Sequence, residues 1–430
     1  MDSTADSPTS WLRRFGSRFF PLYLGLHALL QFFWVVPGLG RVDASLNEGW
    51  RRIAPWIGRA VLGLSGPIYT GPSGSSDTTL DWIQAWCLLV LAFAGAAVWA
   101  ACDRARRHDP TVQEAGRTIV RYLLGAAMLH YGFMKLIPPT QFPTPSFYRL
   151  LEPLNEFSPE GVLWNFMGFS PAYQAFSGLA ELVGGTLLFF RRTTLLGALV
   201  TAGVMLNVVL LNFCYDVPVK LYSSHLLAMA VWLAWPDHGR LMAVFMLNRP
   251  AAAAPPGPAW PRGRMRPAAA VARVLFVGGL VYGGVAHQLA EQALIAAQFT
   301  PAPAELRGLW NVETFERDGT PVPPLTTETA RWRTLIIGDY GALAVRRMDN
   351  TSRGRWLVKA VPGPGRITLA PAHEGDPPVE INYTLPEPGR LQLAGTLDGA
   401  TLRVTLRRVD ETKFNLFHSF HWVTETPFNR

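Results

Sequence analysis

The chain has 430 residues, 49% of them hydrophobic and 12% aromatic, with only 16% charged and a formal net charge of +8. Soluble domains of ordinary composition carry about 25% charged residues, so a wholly soluble enzyme is a poor match. The basic excess sits beside apolar runs, which points to membrane topology rather than nucleic acid. Cys87, Cys102 and Cys214 form neither a Cys-x-x-Cys pair nor a haem-attachment motif, which argues against a dithiol centre or a disulfide framework.

Residues 1–18 are polar, carry Arg13, Arg14 and Arg18, and read as a cytoplasmic tail. Phe19–Val36 is rich in aromatics and exits through Val-Pro-Gly, so it reads as a retained anchor rather than a cleaved leader. Residues 46–64 set Trp50, Ile53, Trp56, Ile57 and Val61 against Arg51, Arg52 and Arg59 at helical spacing. That pattern predicts a helix lying in the membrane interface or packed within a loop. Further apolar runs are Leu80–Ala101, Ile119–Ile137, Ala172–Phe190, Thr194–Phe213, Val219–Trp235 and Val274–Ala290. Each approaches the ~20 residues that cross a bilayer. The expectation is a membrane helical bundle of seven spans over residues 19–298, with a cytoplasmic Ala/Pro-rich linker at 250–267.

Basic residues favour the cytoplasmic side. With the N-terminus inside, the outer loops up to residue 298 hold only Arg41, Arg51, Arg52, Arg59 and Arg149, and the other arginines of that stretch fall mostly in the inner segments. This orientation puts residues 299–430 outside the cytoplasm. There the period changes from helix to strand: Trp332–Ile337, Ala342–Arg347, Arg355–Val361, Arg366–Leu369, Val379–Leu385, Arg390–Thr396 and Thr401–Val409 are short runs of β-formers. Gly308-Leu309-Trp310 opens the series, and Leu397-Asp398-Gly399-Ala400 is a hairpin turn. An all-β domain follows, an antiparallel sandwich or barrel.

Polar residues inside apolar spans are costly unless they face protein or water. Given this orientation, they fall in the outer half: His130, Tyr131 and Lys135; Gln174 and, near mid-membrane, Glu181; Asn207 and Asn212; Asp216, Lys220 and His225; His287 and Glu291. Gln174, Gly178, Glu181 and Gly185 share one helical stripe, and Asp216 and Lys220 have the spacing of an ion pair. Gly279-x-x-x-Gly283 permits a close helix contact. His27, beside Gln31, reads as a hydrogen-bonded core residue. His130 and His225 lie at similar depth on different spans, as two haem ligands would. Only four of the 39 basic residues are lysines, and two of these, Lys135 and Lys220, fall near the polar set. Lysine is compact and can lose its proton when desolvated.

Three segments carry a resemblance: Lys135-Leu-Ile-Pro-Pro-Thr-Gln141-Phe-Pro-x-Pro, Phe176-Ser-Gly-Leu-Ala-Glu181-Leu-Val-Gly-Gly and Asn212-Phe-Cys-Tyr-Asp216-Val-Pro-Val-Lys220-Leu. Over residues 116–240 the chain resembles the DoxX-like membrane proteins of bacteria. The ending Phe420-His421-Trp422-x-x-Glu425-x-Pro427-Phe428-Asn429-Arg430 is similar to that of larger members with an added β domain. The resemblance implies a four-helix core, mapped to the third through sixth spans. It also implies a bacterial inner-membrane location and a role in membrane redox systems, including those linked to quinones.

Taken together, residues and resemblance predict a polar pocket in the outer leaflet that binds a quinone or another lipid-soluble molecule. The expected catalytic set is Lys135, Glu181, Asp216 and Lys220, with His130, Tyr131, Gln174, Asn207, Asn212 and His225 around the ligand. Haem is the alternative cofactor, no metal site is expected, and a redox protein is the expected partner. The competing functions are a non-catalytic assembly or transport factor that holds a lipid or protein, and a quinone-linked enzyme laid out like the vitamin K-dependent carboxylases.

Overall fold

The computed structural model describes residues 8–36, 38–71, 73–102, 110–138, 140–251, 265–371, 378–397 and 399–417. The chain divides into a helical unit, Met1–Thr144 with Phe157–Ala290, and a second unit, Pro145–Glu156 with Glu291–Arg430.

The helices are α1 (Pro8–Val35), α2 (Gly40–Ala60), α3 (Thr79–Cys102), α4 (Pro110–Leu136), α5 (Phe147–Leu150), α6 (Pro159–Phe169), α7 (Pro171–Leu188), α8 (Thr194–Cys214), α9 (Lys220–Ala234), α10 (His238–Leu241) and α11 (Met265–Gln298). A helix stands at each of the seven apolar runs. Among the described residues, Thr79–Cys102, Arg191–Cys214 and Pro267–Gln298 are long and apolar enough to cross a membrane. The N-terminal residues expected as a polar tail are helical from Pro8 onward, and the Arg18 guanidinium lies 5.3 Å from the Trp99 ring centre.

Local chemistry sets several helix starts. Ser170 accepts from the Tyr173 N–H with Pro171 in the first turn of α7, and Ser158 does the same for α6 through Gly161. Asp77 caps α9 from a distant loop, accepting from the N–H groups of Lys220 and Leu221, each at 2.8 Å.

Glycine sets how closely α4 and α7 approach. A Cβ on Gly185 would meet Met128 Cβ at 2.7 Å and Gly125 O at 3.0 Å; one on Gly178 would meet Gly132 O and Lys135 Cβ, both at 2.9 Å. The Gln174-Gly178-Glu181-Gly185 stripe is buried throughout. In the Gly279-x-x-x-Gly283 pair of α11 the space around Gly279 is open and Gly283 is buried, and Gly284 approaches the Phe133 ring closely. The apolar core of the helical unit includes Leu124, Met128, Leu188, Met229 and Leu233. Phe176, Leu179, Val183, Leu206, Leu210 and Phe213 are among the large apolar side chains left on the outer surface.

The second unit is a barrel. Strands β1 (Gly308–Arg317), β2 (Thr320–Pro321), β3 (Trp332–Ile337), β4 (Ala342–Arg347), β5 (Ser352–Gly363), β6 (Arg366–Pro371), β7 (Val379–Glu387), β8 (Arg390–Leu397) and β9 (Ala400–Arg408) pair antiparallel, and β1 also pairs with β9. That last pairing decides barrel over sandwich, with the two-residue β2 appended to β1. Leu397 pairs with Ala400 across the expected hairpin, and Gly399 adopts φ +75°. The interior is filled by alternate residues such as Trp310, Leu335, Val345, Leu391 and Leu406. The cavity left inside is only about 20 Å³. Trp310 donates from Nε1 to Leu306 O at 2.7 Å, and the Arg408 guanidinium lies over its ring. Residues 418–430 and most of the 250–267 linker lie outside the described residues.

Candidate functional site

Part of the polar set of the helical unit gathers where α1 and α4 finish and α9 begins, while Arg14, Arg18, Arg121 and Thr194 are buried nearer the starts of α1, α4 and α8. Lys135 and Glu181 face each other across the glycine-lined crossing of α4 and α7. Lys135 Nζ donates to both carboxylate oxygens of Glu181, at 3.0 and 2.9 Å, and both side chains are buried. The ammonium also lies 5.5 Å from the Tyr131 ring centre. An ion pair this deep is held by geometry, since each partner leaves the other uncompensated if removed.

Beside Tyr131 opens a cavity of about 220 Å³. Tyr131 and Tyr222, 6.0 Å apart by ring centres, line it together with His27, Gln31 and Trp34 of α1. Asp43, Asn47 and Trp50 of α2, and Ser76, Asp81 and Gln84 around the start of α3, complete the polar wall. Burial raises the Asp43 carboxyl above its usual range, opposed by the Asn47 side chain, which donates to it at 3.0 Å. Asp81 is occupied in the capping of α3, accepting from the N–H and hydroxyl of Thr78.

His27 is buried and stacks on His225 at 3.7 Å between ring centres. His225 Nδ1 lies 2.7 Å from Leu221 O; a carbonyl can only accept, so this nitrogen carries the proton. Nε2 of His225 then accepts from the Tyr23 hydroxyl at 2.7 Å. Among the described residues, His27 Nε2 has no hydrogen-bond partner. The expectation that His27 is a satisfied core residue therefore does not hold.

The structure brings together only some of the expected set. Lys135, Glu181 and Tyr131 form one group, and His225 reaches it through His27 and Tyr222. Gln174 instead clamps the chain after α4, accepting from the Phe142 N–H at 2.9 Å and donating to Phe142 O at 3.1 Å. Asn212 donates to Ser223 Oγ and ties α8 to α9. Asn207 is exposed on α8 between the outward Leu206 and Leu210. Asp216 adopts φ +53°, is exposed, and pairs with Lys220 at 2.7 Å, so this ion pair lies apart from the cavity lining. His130 packs edge-on against Trp34 and lies 6.5 Å from the His287 ring, whereas His225 stacks on His27.

Residues that sequence reasoning passed over are Trp34, Asp43, Asn47, Gln84 and Tyr222. A signal existed for the α1 wall. Tyr23, His27 and Gln31 recur every fourth residue and so share one helix face.

Part of this chain is similar to a bacterial protein. The uncharacterized protein YwoB of Bacillus subtilis (strain 168) is 36% identical over 84 residues, which cover 20% of this chain and 54% of YwoB. The chain thus spans about half the length of that relative. No protein-family model matches the chain, and no solved structure matches it.

Proposed function

We propose that the helical unit is embedded in a bacterial plasma membrane and that its cavity binds the head group of a quinone or a similar lipid-soluble molecule within a redox system. In this reading α1, α3, α4, α7, α8, α9 and α11 cross the bilayer, the N-terminus is cytoplasmic, and the barrel stands outside. Large apolar side chains exposed around the bundle support the membrane placement, because water-facing surfaces rarely carry apolar patches of that extent. Among the less apolar helices, α1, α4 and α7 bury His27, Lys135 and Glu181.

The observation that carries the ligand reading is His27, buried at the wall of a cavity it shares with Tyr131 and Tyr222, with Nε2 unpartnered among the described residues. A buried polar atom left unpaired costs free energy that a ligand oxygen or hydrogen would recover. The Tyr131 and Tyr222 hydroxyls and the Gln31 amide can donate to quinone oxygens. Lys135, fixed by Glu181, sets the charge behind Tyr131 and is a positioning residue here. Lys220 and Asp216 serve the turn between α8 and α9.

The test is to purify the full chain in mild detergent and analyse what it carries by absorbance and mass spectrometry. A quinone retained by the wild type and lost from His27→Ala and Tyr131→Phe is expected; lipid alone in the wild type would overturn the reading. The mutual saturation of Lys135 and Glu181 favours one other role, a non-catalytic scaffold that uses the cavity to hold a lipid.

A further inference from the structure

The barrel unit has a cavity of its own, about 520 Å³, on the outer side of its wall. Alternation along the strands puts Trp310, Leu335 and Val345 inside, so Asn311, Thr334 and Arg346 face outward into this cleft. Leu151 and Pro153, from the 145–156 segment that belongs to this unit, form its opposite lip.

Three arginines line the cleft, Arg331, Arg333 and Arg346, and its lining includes no Asp or Glu. Arg331 is engaged through its Nη atoms with the backbone oxygens of Val322 and Glu313, but its Nε is buried and unpartnered. Arg333 donates to Asn350 Oδ1 at 2.7 Å and is exposed. Arg346 differs from both. It is only 8% exposed, and among the described residues it has no hydrogen-bond or ion-pair partner. Elsewhere on the barrel, the more exposed Arg390 and Arg407 share the carboxylate of Glu313.

The stem of Arg346 is buried, and its guanidinium opens into the cleft, where no carboxylate lines the wall. Its planar fork matches a carboxylate or phosphate through paired hydrogen bonds. We propose that the cleft is a binding site for an oxyanion, a carboxylate or phosphate group seated on Arg346 and flanked by Arg331 and Arg333. The Thr334 hydroxyl donates to Asn311 Oδ1 at 3.2 Å, which leaves the Asn311 Nδ2 group to complete the contacts, and Leu151 and Met348 offer apolar walls to whatever carries the anion. This site is separate from the cavity of the helical unit and does not depend on the quinone reading.

Titration calorimetry on the full chain in maltoside micelles, at constant chloride, tests it with inorganic phosphate, hexanoate and uncharged hexanol. Saturable binding of at least one anion and none of hexanol is expected. Arg346→Met should weaken that binding by about thirtyfold or more, the usual consequence of removing one partner of a buried charged contact. Its melting temperature should stay close to that of the wild type, because methionine keeps an apolar stem at this position. Arg333→Gln, at an exposed position, should weaken binding less and serves if Arg346→Met fails to fold. Stronger binding of hexanoate identifies an acid on an apolar body; stronger binding of phosphate identifies a free inorganic-type anion. Equal affinity in wild type and Arg346→Met, or binding of neither anion, overturns the proposal.

Discussion

The two units of this protein handle polarity in opposite ways. The helical unit sets large apolar side chains on its outside and draws Lys135, Glu181, His27, Gln174 and Asn212 inward. The barrel fills its interior with Trp310, Leu335, Leu391 and Leu406 and keeps its charged pairs on the outer wall. The contrast teaches that one chain carries two folding logics. In the bundle, specific polar contacts and glycine-permitted approach register the helices; in the barrel, apolar burial and strand alternation suffice.

The contrast breaks most sharply at the buried ion pair. Glu181→Leu should destabilise the helical unit by ~3–5 kcal/mol, because Lys135 is left charged and unpaired. The double variant Lys135→Met/Glu181→Leu should recover most of that loss in detergent unfolding experiments followed by helical circular dichroism. In the barrel, Leu391→Ala, at a fully buried position, should cost ~2–5 kcal/mol through lost burial and a residual cavity. Hydrogen exchange on the full chain should show that loss in the strands and not in α4 or α7.

A smaller effect sharpens the glycine argument. Gly178→Ala should cost ~1–3 kcal/mol by forcing α4 and α7 apart, and the same measurement on Gly279→Ala should show no such loss, because nothing lies within 4 Å of a Cβ there. The smallest effect concerns the barrel surface. Hydrogen bonding from Arg407, reinforced by Arg390, holds the Glu313 carboxyl below its ordinary value of 4.5. A carboxyl held low in the folded state contributes stability that is present above pH 4.5 and is lost as pH falls through its folded value. The wild type should therefore lose melting temperature on acidification more steeply than Glu313→Gln.

Much of the architecture was legible in the amino-acid order. Each long apolar run marks a helix, and the runs of β-formers from Trp332 to Val409 mark strands close to their observed bounds, because burial periodicity is a local property. The Asp216–Lys220 pair was legible from spacing. The site was less so. Asn207 and Asn212 stand on the same apolar helix, yet one faces outward and the other bonds Ser223. Where nearly every position is apolar, the pattern does not say which face meets protein. His130 and Tyr131, adjacent in sequence, point into different groups for the same reason. The segment 145–156 gave no sign that it belongs with the barrel.

The amino-acid order by itself determined that this protein has a helical part and a β part, and which titratable groups sit within apolar helices. Only the tertiary structure decided that Lys135 meets Glu181, that His27 is left unpaired at a cavity wall, and that β1 closes on β9. Those are pairings between segments far apart in the chain. They depend on how closely backbones can approach and on which helix faces meet, and no local pattern encodes either.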